Sequence, residues 1–257
     1  MKKQTDKILF RAAVLASVTI MTACSGNGAD NSGNGKDTTV SVQVPSTYTE
    51  TPGNYYGIDI SSYQGDEVAE IGPEDSLTFI ICKATEGINV VDPDFDKNIQ
   101  TIQSKKVIYG AYHFYHTDQD PVQQANHFWN TIKTSNVIPE IAPIVDIEDG
   151  SVPQGAPRNN TQIQQNLKTF LNTLEQLSGR HPMIYTGYDF GSASLTDPTF
   201  AAYELWLAEY SGTQQPQVPA TWKAKGYKIW QKRDNYNINS TQNDFDQYRG
   251  TKSGLTK

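Results

Sequence analysis

The run Ala142-Pro-Ile-Val-Asp146-Ile-Glu148-Asp149 puts two carboxylates two residues apart at the end of an apolar segment. In a strand, side chains alternate between faces, so Asp146 and Glu148 would point the same way. An unpaired buried carboxylate is costly and needs a compensating reason. Two close carboxylates do not ionise freely together, so one keeps its proton towards neutral pH. A proton donor beside an anionic partner is what glycoside hydrolysis uses: one acid protonates the leaving oxygen and the other carboxylate stabilises or attacks the developing cation. Taken alone, the pair equally fits a solvated strand end with salt-bridge partners.

Two further segments repeat the theme. Asp59 lies between isoleucines in Tyr56-Gly-Ile-Asp59-Ile-Ser61-Ser62-Tyr63, where it either joins a site or caps the following turn. Near the other end, Asn243-Asp244-Phe245-Asp246 sets two acids in an aromatic run. Tyr63, Tyr112, Phe114, Tyr185 and Trp206 lie at or near the ends of candidate strands, as do Tyr115, Tyr188, Tyr210 and Trp230. Rings with a polar tip stack on pyranose faces, with Tyr185 and Trp206 the first choices, although most aromatics at such spacing are core. His113 and His116 are three apart, on opposite faces of a strand and a poor ligand pair unless the strand stops at Tyr115. Neither H-E-x-x-H nor a paired C-x-x-C occurs, and Gly191-Ser192-Ala193-Ser194 is not a nucleophile elbow. No metal or other cofactor is expected.

Positioning these groups requires a frame. Short β-rich runs are predicted at Tyr56–Ile60, Thr78–Lys83, Val107–Tyr115, Ala142–Glu148, Met183–Thr186, Glu204–Ala208, Tyr227–Gln231 and Asn243–Tyr248. Helical patterns separate several of them, at Asp94–Ser104, Pro121–Lys133 and Asn160–Ser178. In the last, Ile163, Leu167, Phe170, Leu171, Leu174 and Leu177 recur at three- and four-residue spacing and Gly179 supplies a stop. Alternating strands and helices imply parallel pairing, and about eight strands in about 200 residues imply an irregular (β/α) TIM-like barrel, a single α/β domain. After Tyr203 the strands are too close for crossover helices, so loops should join them. If the barrel closes, first and last strands are neighbours, and Asp59 and Asp244 share a mouth.

The first residues carry a different message. Lys2, Lys3, Lys7 and Arg11 precede the apolar run Ala12–Met21, the layout of a signal peptide over residues 1–23 and too short for a stable span. Met21-Thr22-Ala23-Cys24 is similar to a bacterial lipobox, in which the cysteine becomes the lipidated first residue. Residues 24–53 are dominated by Ser, Gly, Asn and Thr and read as a tether, leaving 54–257 for the barrel. Across 257 residues, 21 Lys and Arg stand against 28 Asp and Glu, a net charge of −7. Loss of the four basic residues and Asp6 of the leader makes the mature chain still more acidic, so neither nucleic acid nor a polybasic membrane contact is expected. Membrane attachment would come from acyl chains on Cys24, facing the periplasm or cell surface.

Read together, Gly57–Gly65, Phe79-Ile-Ile-Cys-Lys-Ala-Thr-Glu-Gly87, Gly110-Ala-Tyr-His-Phe114, Pro143–Glu148, Ile184-Tyr-Thr186, Leu205-Trp-Leu-Ala208, Ile229-Trp-Gln231 and Asp244–Tyr248 stand in an ordered series. That series resembles the glycoside hydrolase family 25 lysozymes, the Chalaropsis-type N-acetylmuramidases. The resemblance implies hydrolysis of the β-1,4 bond between N-acetylmuramic acid and N-acetylglucosamine in peptidoglycan; separately, a monomer is expected, although the sequence carries no signal of oligomeric state. The resemblance makes Glu148 the acid/base and Asp146 its partner, with Asp59 and Asp244 completing the set and Gln231 among the substrate-binding residues. Three departures accompany it: Val90 where an aromatic or leucine is frequent, Asp246 where asparagine is usual, and Lys232-Arg-Asp after Trp230-Gln231. Asp246 either raises a neighbouring pKa or points outward. The alternatives are a catalytically silent glycan-binding lipoprotein and a metal-dependent carbohydrate hydrolase.

Overall fold

The computed structural model describes residues 50–257 except 73–74, 212–213 and 239–240. The predicted leader, Cys24 and nearly all of the tether lie outside the described residues. The described chain forms nine strands: β1 (Gly53–Ile60), β2 (Phe79–Glu86), β3 (Val90–Val91), β4 (Ile108–Phe114), β5 (Ile144–Asp146), β6 (Met183–Gly187), β7 (Glu204–Ala208), β8 (Ile229–Ile238) and β9 (Thr241–Gly250). Helices α1 (Glu67–Glu70), α2 (Phe95–Lys105), α3 (Pro121–Thr134), α4 (Asn160–Ser178), α5 (Tyr188–Ser194) and α6 (Lys252–Leu255) lie between and after them.

Eight strands close into a barrel in the order β1-β9-β8-β7-β6-β5-β4-β2, with β2 returning to β1 and β3 added as a hairpin on β2. Pairing is parallel from β1 through β2 and β4 to β8, and antiparallel where β9 meets β8 and β1. The expectation of parallel pairing therefore fails at the last strand. A parallel return needs a crossover of a dozen or more residues, whereas β8 and β9 are separated by two, which leaves only a hairpin. Both strands also run further than predicted, to Ile238 and from Thr241.

The alternation of side chains sorts the core into two shells. Outward-facing Ile58, Ile60, Ile80, Val145, Ile147, Ile184, Leu205 and Leu207 pack against the helices. Inward-facing Phe79, Ile81, Ile108, Ile144, Met183, Tyr185, Trp206, Ile229 and Tyr248 fill the barrel, and Leu255 of α6 joins them. α4 follows its predicted limits, presenting Ile163, Leu167, Phe170, Leu171 and Leu174 to the barrel, and ends at Gly179 in the left-handed region, φ 67°. At Gly57 the inner face tolerates only a hydrogen, because a Cβ there would lie 2.4 Å from the Phe79 ring. His113 belongs to the outer shell, stacked on Phe170 at 5.3 Å between ring centroids and hydrogen-bonded to Thr85 and Gln124. Burial drives its pKa down to about 3, so it is neutral.

Candidate active site

In a parallel barrel the strand C-termini share one end, and functional groups gather there. β1 delivers Asp59 and β5 delivers Asp146, each near its C-terminal end, with Glu148 two residues beyond on the same side. β9 runs the opposite way, so its beginning, not its end, lies at this mouth, which is why Asp244 stands near the start of that strand. Asp59 and Asp244 are register partners across the β1–β9 pair. Directly opposed residues project from the same face, so these acids, 185 positions apart in the chain, meet. The four sequence-predicted acids line one cleft of about 280 Å³ together with Tyr63, Tyr112, Phe114, Tyr185, Trp206 and Gln231.

The aromatics divide by depth. Tyr63 is 92% exposed on the rim, and its turn is held by Asp92, which accepts from the Ser62 backbone N–H at 3.0 Å. Trp206 forms the floor, buried beneath Tyr185 and Tyr112 at centroid distances of 4.5 and 6.3 Å. Tyr115 and Trp230 lie elsewhere: Tyr115 packs against Phe170 and Trp230 donates to the Glu209 carbonyl at 2.8 Å. Tyr188 and Tyr210 line an adjoining hollow of about 410 Å³ that shares Glu148 and Tyr185 with the cleft. Gln231 links the two sides. Its amide donates to Asp59 Oδ2 at 2.7 Å and its carbonyl accepts from the Tyr185 hydroxyl at 2.9 Å and from the Tyr210 hydroxyl.

Burial sets the protonation of the acids. Asp59 and Asp146 are both held well above the ordinary aspartate range, first by burial and then by neighbouring carboxylates, Asp246 and Asp244 for the former and Glu148 for the latter. Lys83 opposes this at Asp146. Glu148 is half-buried and raised by burial and by the charge of Asp149. Asp244 is pushed up to about 6 by burial, then by Asp234 and Glu148. Oδ1 of Asp146 is buried with no hydrogen-bond partner in the protein.

Sequence reasoning missed one contributor, Lys83, and left the facing of another, Asp246, open. Lys83, on the cleft wall, donates to Glu86 at 2.6 Å and lies 5.1 Å from the centre of the Phe114 ring. Its signal was a lysine inside the apolar run Phe79–Ala84. Asp246 points inward, fully buried, and accepts from the Trp206 indole N–H at 2.7 Å. Its spacing of two from Asp244 was the available signal. Of the other departures, Val90 lies on exposed β3, where its carbonyl accepts from His127 at 2.9 Å, and Lys232 lies over the Trp230 ring at 4.5 Å. The two histidines go separate ways, His116 pairing with Glu86 at 2.9 Å while His113 stays in the outer shell.

Comparison with known proteins agrees with this fold. The chain is 28% identical over 203 residues to an N,O-diacetylmuramidase of Arthroderma benhamiae, spanning 76% of this chain and 84% of that protein. A family 25 lysozyme structure from Aspergillus fumigatus superposes with a TM-score of 0.66 at 27% identity, covering 79% of this chain and 98% of that one. A bacterial lysozyme from Streptomyces coelicolor, 23% identical, shares the fold with a TM-score of 0.68 over 79% of this chain and 95% of its own. The model of the glycosyl hydrolases family 25 matches residues 58–241, most of the barrel, so the chain belongs to that family and is a glycoside hydrolase.

Proposed function

We propose that this protein is an exported, lipid-anchored N-acetylmuramidase that hydrolyses the β-1,4 bond between N-acetylmuramic acid and N-acetylglucosamine in peptidoglycan. The observation that carries the reading is the convergence of Asp59, Asp146, Glu148 and Asp244 from β1, the β5 end and β9 on one aromatic-lined cleft. Glu148, raised by burial, protonates the glycosidic oxygen and then, as the conjugate base, takes a proton from the attacking water. Asp146, which lines the cleft beside Glu148, stabilises the oxocarbenium charge or orients the 2-acetamido group. Tyr63, Tyr112, Phe114 and Tyr185 supply faces and hydroxyls to the sugars, while Trp206 and Gln231 fix the floor. All of these residues come from one chain, which fits a monomer.

The test is digestion of purified peptidoglycan with and without chelator, followed by mass analysis. Muramic acid at the new reducing ends, released equally in both, is the expected result. Glucosamine at those ends, or loss of activity on chelation, overturns it. Anchoring is tested separately: Cys24→Ala should abolish acyl labelling and release the protein from membranes. Labelling that persists in that variant removes the anchor from the proposal.

A further inference from the structure

β9 presents two acids to the barrel interior, not one. Asp244 faces Asp59 in register, and Asp246 faces Gly57 and Gln231 one step deeper. With no side chain at Gly57, the Asp59 carboxyl above is flanked by Asp244 and Asp246, and the charges of both act on it. Asp246 is completely buried, its Oδ1 taken by the Trp206 indole, while Oδ2 is buried with no hydrogen-bond partner. Asp59 is 7% exposed and satisfied on one oxygen by Gln231. Two buried carboxylates at diagonal positions on one face of paired strands, with no cation bonded to either among the described residues, are relieved of their repulsion if a proton lies between them.

We propose that Asp246 and Asp59 share one proton beneath the cleft, and that Asp246 is thereby a positioning residue, fixing the Asp59 carboxyl on one side and the Trp206 ring on the other for the sugar. The inference rests on the muramidase reading for its consequence but not for its chemistry. Asparagine at this position donates a permanent N–H to Asp59 and leaves that group a full carboxylate. Aspartate makes the bond depend on a proton, so the pair carries one negative charge while the proton stays and two once it leaves. The titratable groups around the pair are Asp244 of β9, Asp146 of β5, Glu148 beyond β5, Tyr112 of β4, Tyr185 of β6 and Tyr210 after β7, with Lys83 the cation on the β2 wall. The proton belongs to the pair, and neither acid titrates as an isolated group.

The Trp206 indole N–H, bonded directly to Asp246, reports on that proton. In the full chain carrying ¹⁵N-tryptophan, with the resonance assigned through W206F, the signal should titrate between about pH 6 and pH 9 in the native protein. D246N should remove the transition, and D59N, which replaces the shared proton by a fixed amide N–H, should move it to lower pH. A transition that D59N leaves in place, or none at all in the native protein, overturns the sharing. These spectra are recorded without substrate, so they stand even if peptidoglycan proves not to be cleaved at the muramic acid bond. The positioning half is read on peptidoglycan fragments: D246A, which lets go of the indole, should raise KM about tenfold with a smaller loss of kcat, and D246N, which keeps an acceptor for Trp206, should recover most of that loss. An unchanged KM in D246A overturns it.

Discussion

Glu148 is the side chain on which turnover should depend most. General acid–base catalysis contributes about a hundred- to ten-thousandfold, so Glu148→Gln should lose activity on that scale in a turbidity assay while its thermal midpoint stays near the native value. Its neighbour offers a finer test. The Asp149 charge, itself paired with Arg158, raises the Glu148 pKa, and the acid must be protonated to work. Asp149→Asn should therefore lower that pKa and draw the alkaline limb of the kcat/KM profile to lower pH, and a limb that moves up or stays put contradicts the assignment. Much of this was legible in the residues themselves: a D-x-E pair at a strand end declares one face by alternation alone. The facing of Asp246 was not, because alternation says that Asp244 and Asp246 share a face without saying which face of β9 is inside. Lys83 was passed over because one cation in an apolar run carries no spacing pattern.

At the level of elements, α4 was readable because a 3.6-residue period and a Gly179 stop agree, and the structure adds an Asn159 cap whose side chain accepts from the Gln162 N–H. Leu171→Ala, truncating its fully buried face, should cost about 2–5 kcal/mol in urea unfolding. Catalysis by the folded fraction should be little changed, since this face looks away from the cleft. Gly57 lies between the two concerns. A methyl group there meets the Phe79 ring, so Gly57→Ala should destabilise by about 1–3 kcal/mol and, by shifting β1 against β9, reduce kcat as well. The antiparallel hairpin of β8 and β9 escaped the sequence pattern for a physical reason: masked behind the polar run Lys232–Asn237, its outer half has no apolar alternation to reveal it. The two-residue β3 and the seven-residue α5 are too short for any period to emerge.

For the molecule as a whole, the buried acids link folding to pH. Asp146 and the Asp59–Asp246 pair titrate above the unfolded aspartate value of about 3.9 in the folded state, Asp246 being pushed up to about 8. Their contribution is complete below that unfolded value and is lost as pH rises through the folded values. His113 acts in the opposite sense: lowered to about 3, it favours folding above the unfolded histidine value of about 6.5 and disfavours it as pH falls. Between about pH 4 and 6.5 the two effects oppose each other, and above it only the acids act. The thermal midpoint should therefore fall from about pH 6.5 to pH 8, and Asp246→Asn should flatten that decline; a native midpoint that rises across the interval contradicts this account.

The seam between β1 and β9 has one more consequence, for the order of events during synthesis. The strand that seals the barrel follows all the others along the chain, and it brings Asp244 with it. Until then β1 has an open edge and the catalytic set is one carboxylate short. An enzyme built to cut cell wall is thus silent until that strand is made, and clipping the polypeptide ahead of Thr241 would disarm it at a single stroke.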